Sequence, residues 1–589
     1  MNYEMRKNDI VFFNLHRLYI NTEVKYGGFL GIYSLSAFLN SNGYRAQGFS
    51  GLLNEGKRII DELCSANKVK AIGLYCDYEN ITENIFLSSY IKEKYKLPVF
   101  VGGPQATALT KDFFLESGCD AVVRYEGELT VLDLLAYYLD GTGSFEQIKG
   151  IMYLADGELI VKQEQELIEN LDALPFIDDE CYLLPESKNS LTIMTGRGCP
   201  FNCAFCHEGH HTRKVRFRSI ENVLQEIELY LDRYMGHEDL YILFSDDTFT
   251  LIPERVKQLC EGLKELRKKK AFQWFCEGHI HTLYLHPEML DYMAAAGVKR
   301  IQLGIEAGTQ EVLDAYRKGS TLEEIEAVVC NCRDKGIEQI YSNIILGGAL
   351  FTQEVYEKNL AYAKKLITLG KGQLELGVVS YWPLAETSIT NCPHEYGIKI
   401  VDKEFVTAVG DFPQTETSAL SRIDILCMVQ EMGRKIEQLM MEMLENNVID
   451  EKIILSWFPE GINLKASGRW GTCLLRLPHV YAYYHMLLKK EAFSTIKKSM
   501  PENEYYKLHP LRTIPLLQYT KVLDDGGYEV AGVRLQKYEY DVLIYATGKL
   551  SLENMYARLL ADGSSLGRQQ LVTVIKRLEE KHLVIFSKY

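Results

Sequence analysis

Long apolar stretches are missing from this 589-residue sequence, and no run approaches the ~18 residues that a membrane-spanning helix requires. The opening segment, MNYEMRKNDIVFFNL, contains no apolar run followed by a small-residue cleavage site, so we expect no secretory signal. Lysine and arginine form no block, and 80 acidic against 65 basic residues give a net charge of −15. General attraction to nucleic acid or to an anionic membrane is therefore not expected. These absences favour a soluble protein of the cytoplasm.

Disulfide bonds are also not expected, although the chain contains 14 cysteines. Without an export signal these thiols should stay reduced. Three of them gather within the segment TGRGCPFNCAFCHEG, as Cys199, Cys203 and Cys206. Isolated cysteines after this segment include Cys392, Cys427 and Cys473. A second metal cluster bound by cysteines is therefore not predicted.

Residues 1–145 alternate short apolar strands with amphipathic helices. DIVFFNL, KAIGLYC and LPVFVGGP are predicted strands, and GIYSLSAFLNSNGY and ITENIFLSSYIKEKY are predicted helices. This alternation indicates an α/β domain, a doubly wound, Rossmann-like parallel sheet with helices on both faces. Ligands of such sheets bind at the carboxyl ends of the strands. The residues expected at that edge are Cys76, Asp77, Tyr78, Gly102, Gly103 and Pro104.

The remaining sequence divides into four segments. Residues 146–186 are predicted to form a linker hairpin, GIMYLADGELIVK, and an extended connector. Residues 187–390 alternate six strands with helix-length segments, which predicts a partial (β/α)6 barrel with its chemistry on the loops after the strands. Residues 391–510 are predicted to be mainly helical. In residues 511–589 the order hairpin, three helices, strand predicts a winged-helix-like domain.

The clustered cysteines have the spacing C-x3-C-x2-C, on the loop that follows the first barrel strand. Thiolates select iron–sulfur clusters or zinc. A zinc ion would need a fourth ligand, which His207, His210 or His211 could supply. A [4Fe–4S] cluster held by three thiolates leaves one iron open to a substrate or cofactor, as a catalytic metal requires. Phe205, beside the last cysteine, favours the cluster because its ring can shield it from solvent.

The segment GCPFNCAFC resembles the signature of the radical S-adenosylmethionine (SAM) superfamily. The resemblance implies a [4Fe–4S] cluster on the three cysteines, with SAM bound to the open iron. RFRSIENVLQEI is similar to the arginine-rich strand and helix that follow the cluster loop in this family. Together these motifs imply that the barrel carries out SAM-dependent chemistry.

Two further motifs of the barrel resemble those of the same superfamily. FSDDTFT is similar to its second-strand motif, which implies that Asp246 and Asp247 organise the pocket. QLGIEAGTQEVLDAYRKG is similar to its fourth-strand motif, which implies that Glu306 contacts bound SAM. Taken alone, these carboxylates are also typical of solvated or capping positions. Where relatives usually have an arginine after the third strand, this chain has His279 and His281, which either contact substrate or cofactor or cap the strand.

The N-terminal domain resembles the cobalamin-binding domain of class B radical SAM methyltransferases, through the segments IGLYCDYENITENI, VFVGGPQATAL and RYEGELT. The resemblance implies that the glycine-rich turn from Gly102 to Pro104 lets the backbone approach the corrin. The D-x-H-x-x-G loop of other cobalamin proteins is absent, so no histidine is expected on cobalt. The lower face of cobalamin should then lie near Cys76, Asp77 and Tyr78 or be open to water. A flavodoxin-like domain without ligand is the alternative.

These resemblances together imply a cobalamin-dependent radical SAM enzyme, most simply a methyltransferase that uses a 5′-deoxyadenosyl radical and an external electron donor. Cyclisation or rearrangement without methylation stays open, as does a cobalamin- or SAM-sensing regulator whose winged helix reads DNA. The C-terminal order also resembles the peptide-recognition domains of enzymes that modify ribosomally made peptides. A peptide or natural-product substrate is therefore expected, with a structural lid over the barrel as the alternative role.

Overall fold

The computed structural model describes most of the chain in two compact units. One unit contains residues 1–370 and 376–433, and the other contains residues 371–375 and 434–589. Among the described helices, none is both long and apolar enough to cross a membrane. The described residues are 6–16, 30–78, 80–184, 190–207, 213–234, 236, 240–401, 412–446, 448–458, 468–477, 480–481, 484, 501–513, 520–547 and 550–587.

The first unit begins with a seven-stranded sheet. Its strands are β1 (Asn8–His16), β2 (Ala46–Leu52), β3 (Val69–Tyr75), β4 (Val99–Gly102), β5 (Ala121–Val123), β6 (Ile151–Ala155) and β7 (Glu158–Val161). The order is β2-β1-β3-β4-β5-β6-β7, with the first five strands parallel and the last two antiparallel. The predicted doubly wound sheet is thus confirmed, and the hairpin of β6 and β7 extends its edge.

Helices cover both faces of this sheet. They are α1 (Leu30–Ser41), α2 (Leu53–Ser65), α3 (Ile81–Tyr95), α4 (Lys111–Ser117) and α5 (Glu128–Asp140). The side chains of the inner strand β1 alternate between two cores: Val11 and Phe13 pack with α2, α3 and α4, and Ile10 and Phe12 pack with α1 and α5. Because both faces are buried, this strand is a continuous apolar run in the sequence.

The second part of the first unit contains most of a six-stranded sheet that forms a partial barrel, as predicted, in which β8, β11, β12, β13 and β14 run parallel. Its strands are β8 (Ser190–Ile193), β11 (Leu240–Phe244), β12 (Phe272–Gly278), β13 (Val298–Leu303), β14 (Gln339–Leu346) and β15 (Leu374–Ser380), and a short antiparallel ribbon of β9 (Gly196–Arg197) and β10 (Arg216–Phe217) follows β8. The helices are α6 (Ile220–Arg233), α7 (Pro253–Lys269), α8 (Ile280–Leu285), α9 (Glu288–Ala295), α10 (Gln310–Ala315), α11 (Leu322–Asp334) and α12 (Gln353–Gly370).

The barrel strands separate an apolar outer face from a partly polar inner face. In β12, Phe272 and Trp274 are buried, whereas Phe275 and Glu277 are half-buried. Successive side chains of a strand point to opposite faces, so the half-buried set lies on the inner side of the barrel. The first unit then continues through α13 (Ser388–Asn391), β16 (Ile398–Ile400), β17 (Thr415–Thr417) and the first part of α14 (Arg422–Glu445).

The second unit contains short helices and two small sheets. Its later elements are α15 (Glu451–Ser456), α16 (Gly468–Leu475), α17 (Glu502–Tyr505), β18 (His509–Arg512), β19 (Thr520–Val522), β20 (Tyr528–Val530), β21 (Val533–Leu535), α18 (Lys537–Tyr545), α19 (Leu552–Ala561), α20 (Arg568–Glu580) and β22 (Val584–Ser587). The predicted order of hairpin, three helices and strand is present. However, β22 pairs with β18, and the hairpin belongs to a separate sheet of β19, β20 and β21. The winged-helix prediction is therefore not confirmed.

Candidate functional site

The three clustered cysteines lie on the loop that leaves β8, at the carboxyl end of the barrel strands. Cys199 and Cys203 are each 8% exposed and Cys206 is half-buried, and all three are free thiols. The ribbon of β9 and β10 closes the base of this loop. Farther along, the amide of Ala204 donates a hydrogen bond of 2.8 Å to the carbonyl oxygen of Tyr316. The loop is therefore fixed at two points, with its sulfurs largely shielded from water.

The thiols fit an iron–sulfur cluster better than a zinc ion. Nδ1 of His207 lies 2.9 Å from the carbonyl oxygen of Ala385, and His210 and His211 lie outside the described residues. Among the residues described, no three His, Cys, Asp or Glu side chains converge on a point where one metal ion could bind. A zinc ion draws its ligands to one centre, whereas a cluster spreads its thiolates over separate corners of a cube. Burial raises the pKa of Cys199 to about 11, so metal binding must release its proton.

The two aspartates after β11 both hold the backbone of the cluster loop. Asp246 is buried and accepts hydrogen bonds from the amide of Thr195, at 2.5 Å, and from the Thr195 hydroxyl. Burial raises its pKa to about 6 although these hydrogen bonds oppose the shift. Asp247 accepts a hydrogen bond of 3.2 Å from the amide of Gly198 and lines a large cavity. Asp246 therefore braces the loop, and Asp247 is the one that faces a ligand-sized space.

Glu306 follows β13 with its backbone in the left-handed region, at φ +62°. Its amide donates a hydrogen bond of 3.0 Å to the carbonyl oxygen of Asn343. Its carboxylate accepts a hydrogen bond of 3.0 Å from Nζ of Lys318. A Cβ at Gly304 would lie 2.2 Å from that Nζ, so this glycine leaves room for the ion pair. The fourth-strand motif therefore holds a fixed carboxylate that is already paired with a lysine.

Of the two histidines after β12, His279 contacts the cluster loop. Its ring stacks on Phe201, with centroids 3.8 Å apart and an interplanar angle of 6°. Burial and the positive charge of Lys318 lower the pKa of His279 to about 3, so the ring is neutral. Nδ1 of His281 lies 2.9 Å from a carboxylate oxygen of Glu324 on α11. His279 thus packs the loop against the third strand, while His281 joins a helix of the barrel wall.

Two arginines of the ribbon join the cluster loop to the N-terminal sheet. Arg197 forms ion pairs with Glu126 at 3.4 Å and with Glu128 at 2.6 Å. Arg216 also pairs with Glu126 and donates a hydrogen bond of 2.8 Å to the carbonyl oxygen of Ile168. All four charged side chains are at most 17% exposed. Breaking a buried ion pair leaves an uncompensated charge, so these residues hold the loop firmly against the sheet.

A cavity of about 530 Å³ lies between the carboxyl edge of the N-terminal sheet and the cluster loop. Its lining includes Tyr75, Gly102, Gly103 and Pro104 from the sheet and Gly198, His207, Ser245 and Asp247 from the barrel. It extends over one face of the sheet between α1 and α5, along Phe12, Leu35, Phe100 and Val131. The cavity therefore combines an apolar arm along the sheet with a more polar end beside the cluster loop.

The residues predicted near the lower face of cobalamin do not come together at this cavity. Cys76 is fully buried in the core with α2, α3 and α4, and burial raises its pKa well above the usual value. The amide of Asp77 donates a hydrogen bond of 2.9 Å to the side-chain oxygen of Asn80. The ring of Tyr78 lies against Trp382, with centroids 4.7 Å apart. Contact of Asp77 or Tyr78 with cobalamin stays a prediction, whereas Cys76 lies in the core and not at the cavity.

Gly102 and Gly103 both line the cavity, but for different physical reasons. Gly103 has φ +119°, and a Cβ there would lie 2.5 Å from the carbonyl oxygen of Cys76. At Gly102 the nearest neighbour of a Cβ would be Val123 at 3.6 Å, an ordinary contact. Packing therefore does not require glycine at 102, whereas close approach of a ligand would. At Gly31, also in the lining, a Cβ would meet no described atom within 4 Å, so this wall also leaves open space at the cavity.

Substitution of Gly103 by alanine should destabilise the first unit. We expect a loss of about 2 to 4 kcal/mol in the free energy of unfolding, because the methyl group strains the backbone and collides with the carbonyl of Cys76. Gly141→Ala is the matched control, since Gly141 has φ +65° but its Cβ would meet no described atom within 4 Å. It should lose only about 1 kcal/mol. Denaturant unfolding followed by circular dichroism measures both losses, and equal losses would contradict the role of close approach.

Several charged residues of the site were not predicted from the sequence. They are Glu126, Glu128, Arg197, Arg216, Glu277 and Lys318. Four of them lie inside segments that carried the family resemblance, RYEGELT, RFRSI and AYRKG, and Arg197 directly precedes the cysteine motif. A charge beside a motif was the available signal. It could not identify the partner, because Arg197 and Glu128 are 69 positions apart in the chain.

Comparison with known proteins supports the assignment of the barrel. Residues 193–357 match the family model of the Radical SAM superfamily. The chain is 30% identical over 299 residues to an uncharacterized methyltransferase of Pyrococcus horikoshii, covering 49% of this chain and 60% of that protein. It is 27% identical over 253 residues to the anaerobic magnesium-protoporphyrin IX monomethyl ester cyclase of Rubrivivax gelatinosus, covering 42% and 44%. The chain therefore spans about half the length of the curated relatives that it matches.

Solved structures with the same fold extend beyond the barrel. The cobalamin-dependent SAM radical enzyme OxsB, solved with aqua-cobalamin, matches with a TM-score of 0.58 at 17% identity, covering 98% of this chain and 84% of OxsB. The radical SAM methyltransferase TsrM from Kitasatospora setae, solved with cobalamin and a [4Fe–4S] cluster, matches with a TM-score of 0.54 at 16% identity, covering 67% and 77%. At these identities the likeness shows the fold, and it confirms the α/β architecture predicted from the sequence.

Proposed function

We propose that this chain, which carries a radical SAM domain within the fold of cobalamin-dependent radical SAM enzymes, is a methyltransferase acting on an unactivated carbon. The radical SAM domain implies a [4Fe–4S] cluster and SAM. Cobalamin is the third proposed cofactor, and the size and glycine-lined wall of the cavity support it. The methyltransferase relative supports methyl transfer as the reaction.

One observation carries this proposal: a single cavity is lined by residues from both proposed cofactor sites. Gly102 contributes from the sheet edge, and Gly198 and Asp247 contribute from the cluster loop and the strand beside it. A methyl donor and a radical generator must act on one substrate molecule, so their sites must open into a common space. The ion pairs of Arg197 with Glu126 and Glu128 hold the cluster loop and the edge of the N-terminal sheet together on the two sides of this cavity.

The residues of this chain bind and orient the proposed cofactors. When bound, the cluster and SAM supply a 5′-deoxyadenosyl radical, and cobalamin supplies a methyl group. Cys199, Cys203 and Cys206 would hold the cluster, and Asp247 and Glu306 would lie beside the SAM bound to it. The stacked rings beside the loop restrict water, which protects a radical from side reactions.

The inner face of the barrel is the proposed substrate site. Glu277, Gln302 and Tyr341 share one register row across β12, β13 and β14, and all three are half-buried. The amide of Gln302 donates a hydrogen bond of 3.1 Å to the carboxyl group of Glu277. Burial and the nearby charge of Asp247 raise the pKa of Glu277 to about 7. The side chains of this row can both donate and accept hydrogen bonds, which supports a substrate rich in amide or hydroxyl groups.

A peptide or other natural product fits this description, and the second unit supports a peptide. The sheet order β19-β20-β21 leaves β19 at an edge of the sheet among the described residues. Val522 on that strand is 68% exposed. An extended peptide can add to such an edge through backbone hydrogen bonds, which would anchor a substrate outside the barrel.

The cationic side chains of the last helices support a partner other than nucleic acid. Arg568 on α20 pairs with Glu553 at 2.7 Å, and Arg577 pairs with Glu539. Carboxylates of the same unit thus neutralise these charges, whereas phosphate binding needs cations aimed at the partner. These helices therefore give no support to the hypothesis of a DNA-binding regulator.

Ring formation without methylation is the second candidate reaction, because one matched relative is named a cyclase. Both reactions begin with hydrogen abstraction from carbon. They differ in whether the product gains a methyl group, so product mass separates them.

Anaerobic reconstitution tests the proposal by four measurements. Protein purified with iron and cobalamin supplied should contain a [4Fe–4S] chromophore and extractable corrinoid, and with dithionite and SAM it should form 5′-deoxyadenosine. A substrate peptide would then gain the mass of one methylene group for each methylation. Absence of corrinoid at any stoichiometry would contradict the cobalamin assignment, and a product of unchanged carbon count would favour cyclisation.

A further inference from the structure

The fourth-strand region places one lysine among negative groups at the mouth of the barrel. Lys318 is 11% exposed and donates a hydrogen bond of 3.0 Å to the carboxylate of Glu306. The charges that act on Glu277 include those of Asp247, Lys318 and Glu306, so these groups share one electrostatic environment. A buried ammonium group needs a reason, because its desolvation is costly unless the surroundings carry negative charge.

The segment that carries this lysine packs on the cluster loop between two of its cysteines. The carbonyl oxygen of Tyr316 accepts the hydrogen bond of 2.8 Å from the amide of Ala204. The rings of Tyr316 and Phe205 meet edge to face, with centroids 4.9 Å apart. Nζ of Lys318 lies 5.8 Å from the centroid of the Phe205 ring. Ala204 and Phe205 are the two residues between Cys203 and Cys206, so the ammonium group is adjacent to the cluster position.

We propose that Lys318 is the cation that stabilises the reduced state of the cluster, and that Glu306 holds it in position. The inference rests on the proposed function in one respect, the presence of a cluster on the three cysteines. A one-electron donor, dithionite in vitro, adds one electron to the cluster, and no bond forms or breaks. The cluster with its thiolates then becomes more negative, and a fixed positive charge in a site sheltered from water favours that state.

The ionisation of the neighbouring groups agrees with this role. Burial lowers the pKa of Lys318, but Glu306 and Cys203 raise it above the usual value, so the side chain is charged. Gly304 provides the space for this ion pair, because a side chain there would displace the ammonium group of Lys318. The positive charge is therefore both present and confined.

The two halves of the ion pair should shift the cluster potential in opposite directions. Lys318→Met removes the positive charge and leaves Glu306 negative, so reduction becomes harder. Glu306→Gln leaves the positive charge without its carboxylate, so reduction becomes easier. A pair that only stabilised the fold would give shifts of the same sign, because both substitutions would loosen the same site.

Potentiometric titration followed by electron paramagnetic resonance of the reconstituted protein, without SAM, tests this inference. At the potential where half of the wild-type clusters are reduced, we expect at least fivefold less reduced cluster in Lys318→Met. We expect Glu306→Gln to be almost fully reduced and the double variant to lie near wild type. Lys318→Arg keeps the charge and should also stay near wild type. Lys299→Met is the control, since Lys299 pairs with Glu338 at the opposite end of β13, and its midpoint should not move.

Three outcomes would overturn the inference: an unchanged midpoint in Lys318→Met, shifts of the same sign in the two single variants, or an arginine variant that moves as far as the methionine variant. If Lys318→Met fails to bind a cluster, the midpoint potential of Glu306→Gln is the remaining test. An unchanged midpoint in that variant would overturn the inference. A wild-type protein without any cluster signal would instead contradict the proposed function. Iron content measured on every sample keeps the two failures apart.

Discussion

A Cys203→Ala variant is expected to form no measurable 5′-deoxyadenosine from SAM under anaerobic reducing conditions. Cys203 is buried on the fixed part of the loop, where the amide of the next residue donates a hydrogen bond to the carbonyl oxygen of Tyr316. A cluster that loses one of three protein ligands loses both affinity and the geometry of its open iron. Since removal of even an outer-shell partner can reduce metal affinity about a hundredfold, the rate should fall by more than that. Chromatography of the quenched reaction measures the product.

The matched control for this variant is Cys260→Ala. Cys260 is 1% exposed and lies on α7 among side chains of the barrel wall. It should keep the cluster chromophore and the rate of 5′-deoxyadenosine formation, at a small cost in stability. Retention of full activity in Cys203→Ala would contradict the cluster assignment. A zinc ion found at stoichiometric level in the wild-type protein would do the same.

Gly102→Phe is expected to abolish corrinoid binding while leaving the fold and the cluster intact. The protein itself has space at this position, because the nearest atom to a Cβ would be 3.6 Å away. A phenyl ring would therefore enter the cavity and occupy the space of the ligand, not that of the core. A steric conflict of about 3 kcal/mol reduces affinity roughly a hundredfold. Corrinoid extracted from the reconstituted variant and quantified by its absorbance gives the measurement.

Two further variants control for nonspecific damage at this site. Gly102→Ala adds only one methyl group, so it should keep the fold and lose less corrinoid affinity than Gly102→Phe. Gly31→Phe approaches the cavity from α1 and should lose corrinoid as Gly102→Phe does, since Gly31 also lacks close neighbours among the described residues. Unchanged corrinoid content in both phenylalanine variants would show that the cavity is not the cobalamin site. A parallel loss of iron would indicate general unfolding, which circular dichroism detects directly.

The sequence predicted the parts of this protein that depend on local pattern. Strands and helices alternate in both halves of the first unit, and hydrophobic period together with loop residues specifies each element over a few positions. The cluster site could also be predicted from the sequence, because Cys199, Cys203 and Cys206 lie on one loop. Spacing within a single loop determines which side chains can share one metal group. Glu306 was predicted on a different basis, the resemblance of QLGIEAGTQEVLDAYRKG to the fourth-strand motif of the radical SAM superfamily.

The C-terminal domain illustrates where local pattern stops being sufficient. The predicted hairpin, three helices and final strand all form, yet β22 pairs with β18 and not with the hairpin. Strand pairing is a choice among distant partners with similar backbone hydrogen bonds. The order of elements along a chain does not fix that choice, so the winged-helix prediction stays unconfirmed.

By itself the sequence determined the succession of strands and helices and the single loop that gathers three thiols, because these follow from neighbours along the chain. Only the tertiary structure decided that Asp246 braces the loop while Asp247 faces the cavity, that Cys76 lies in the core, and that Lys318 stands beside the cluster position. It also joined Arg197 to Glu128 across 69 positions. The physical reason is that burial and ion pairing depend on which surfaces meet after folding, and those surfaces come from segments that are far apart in sequence.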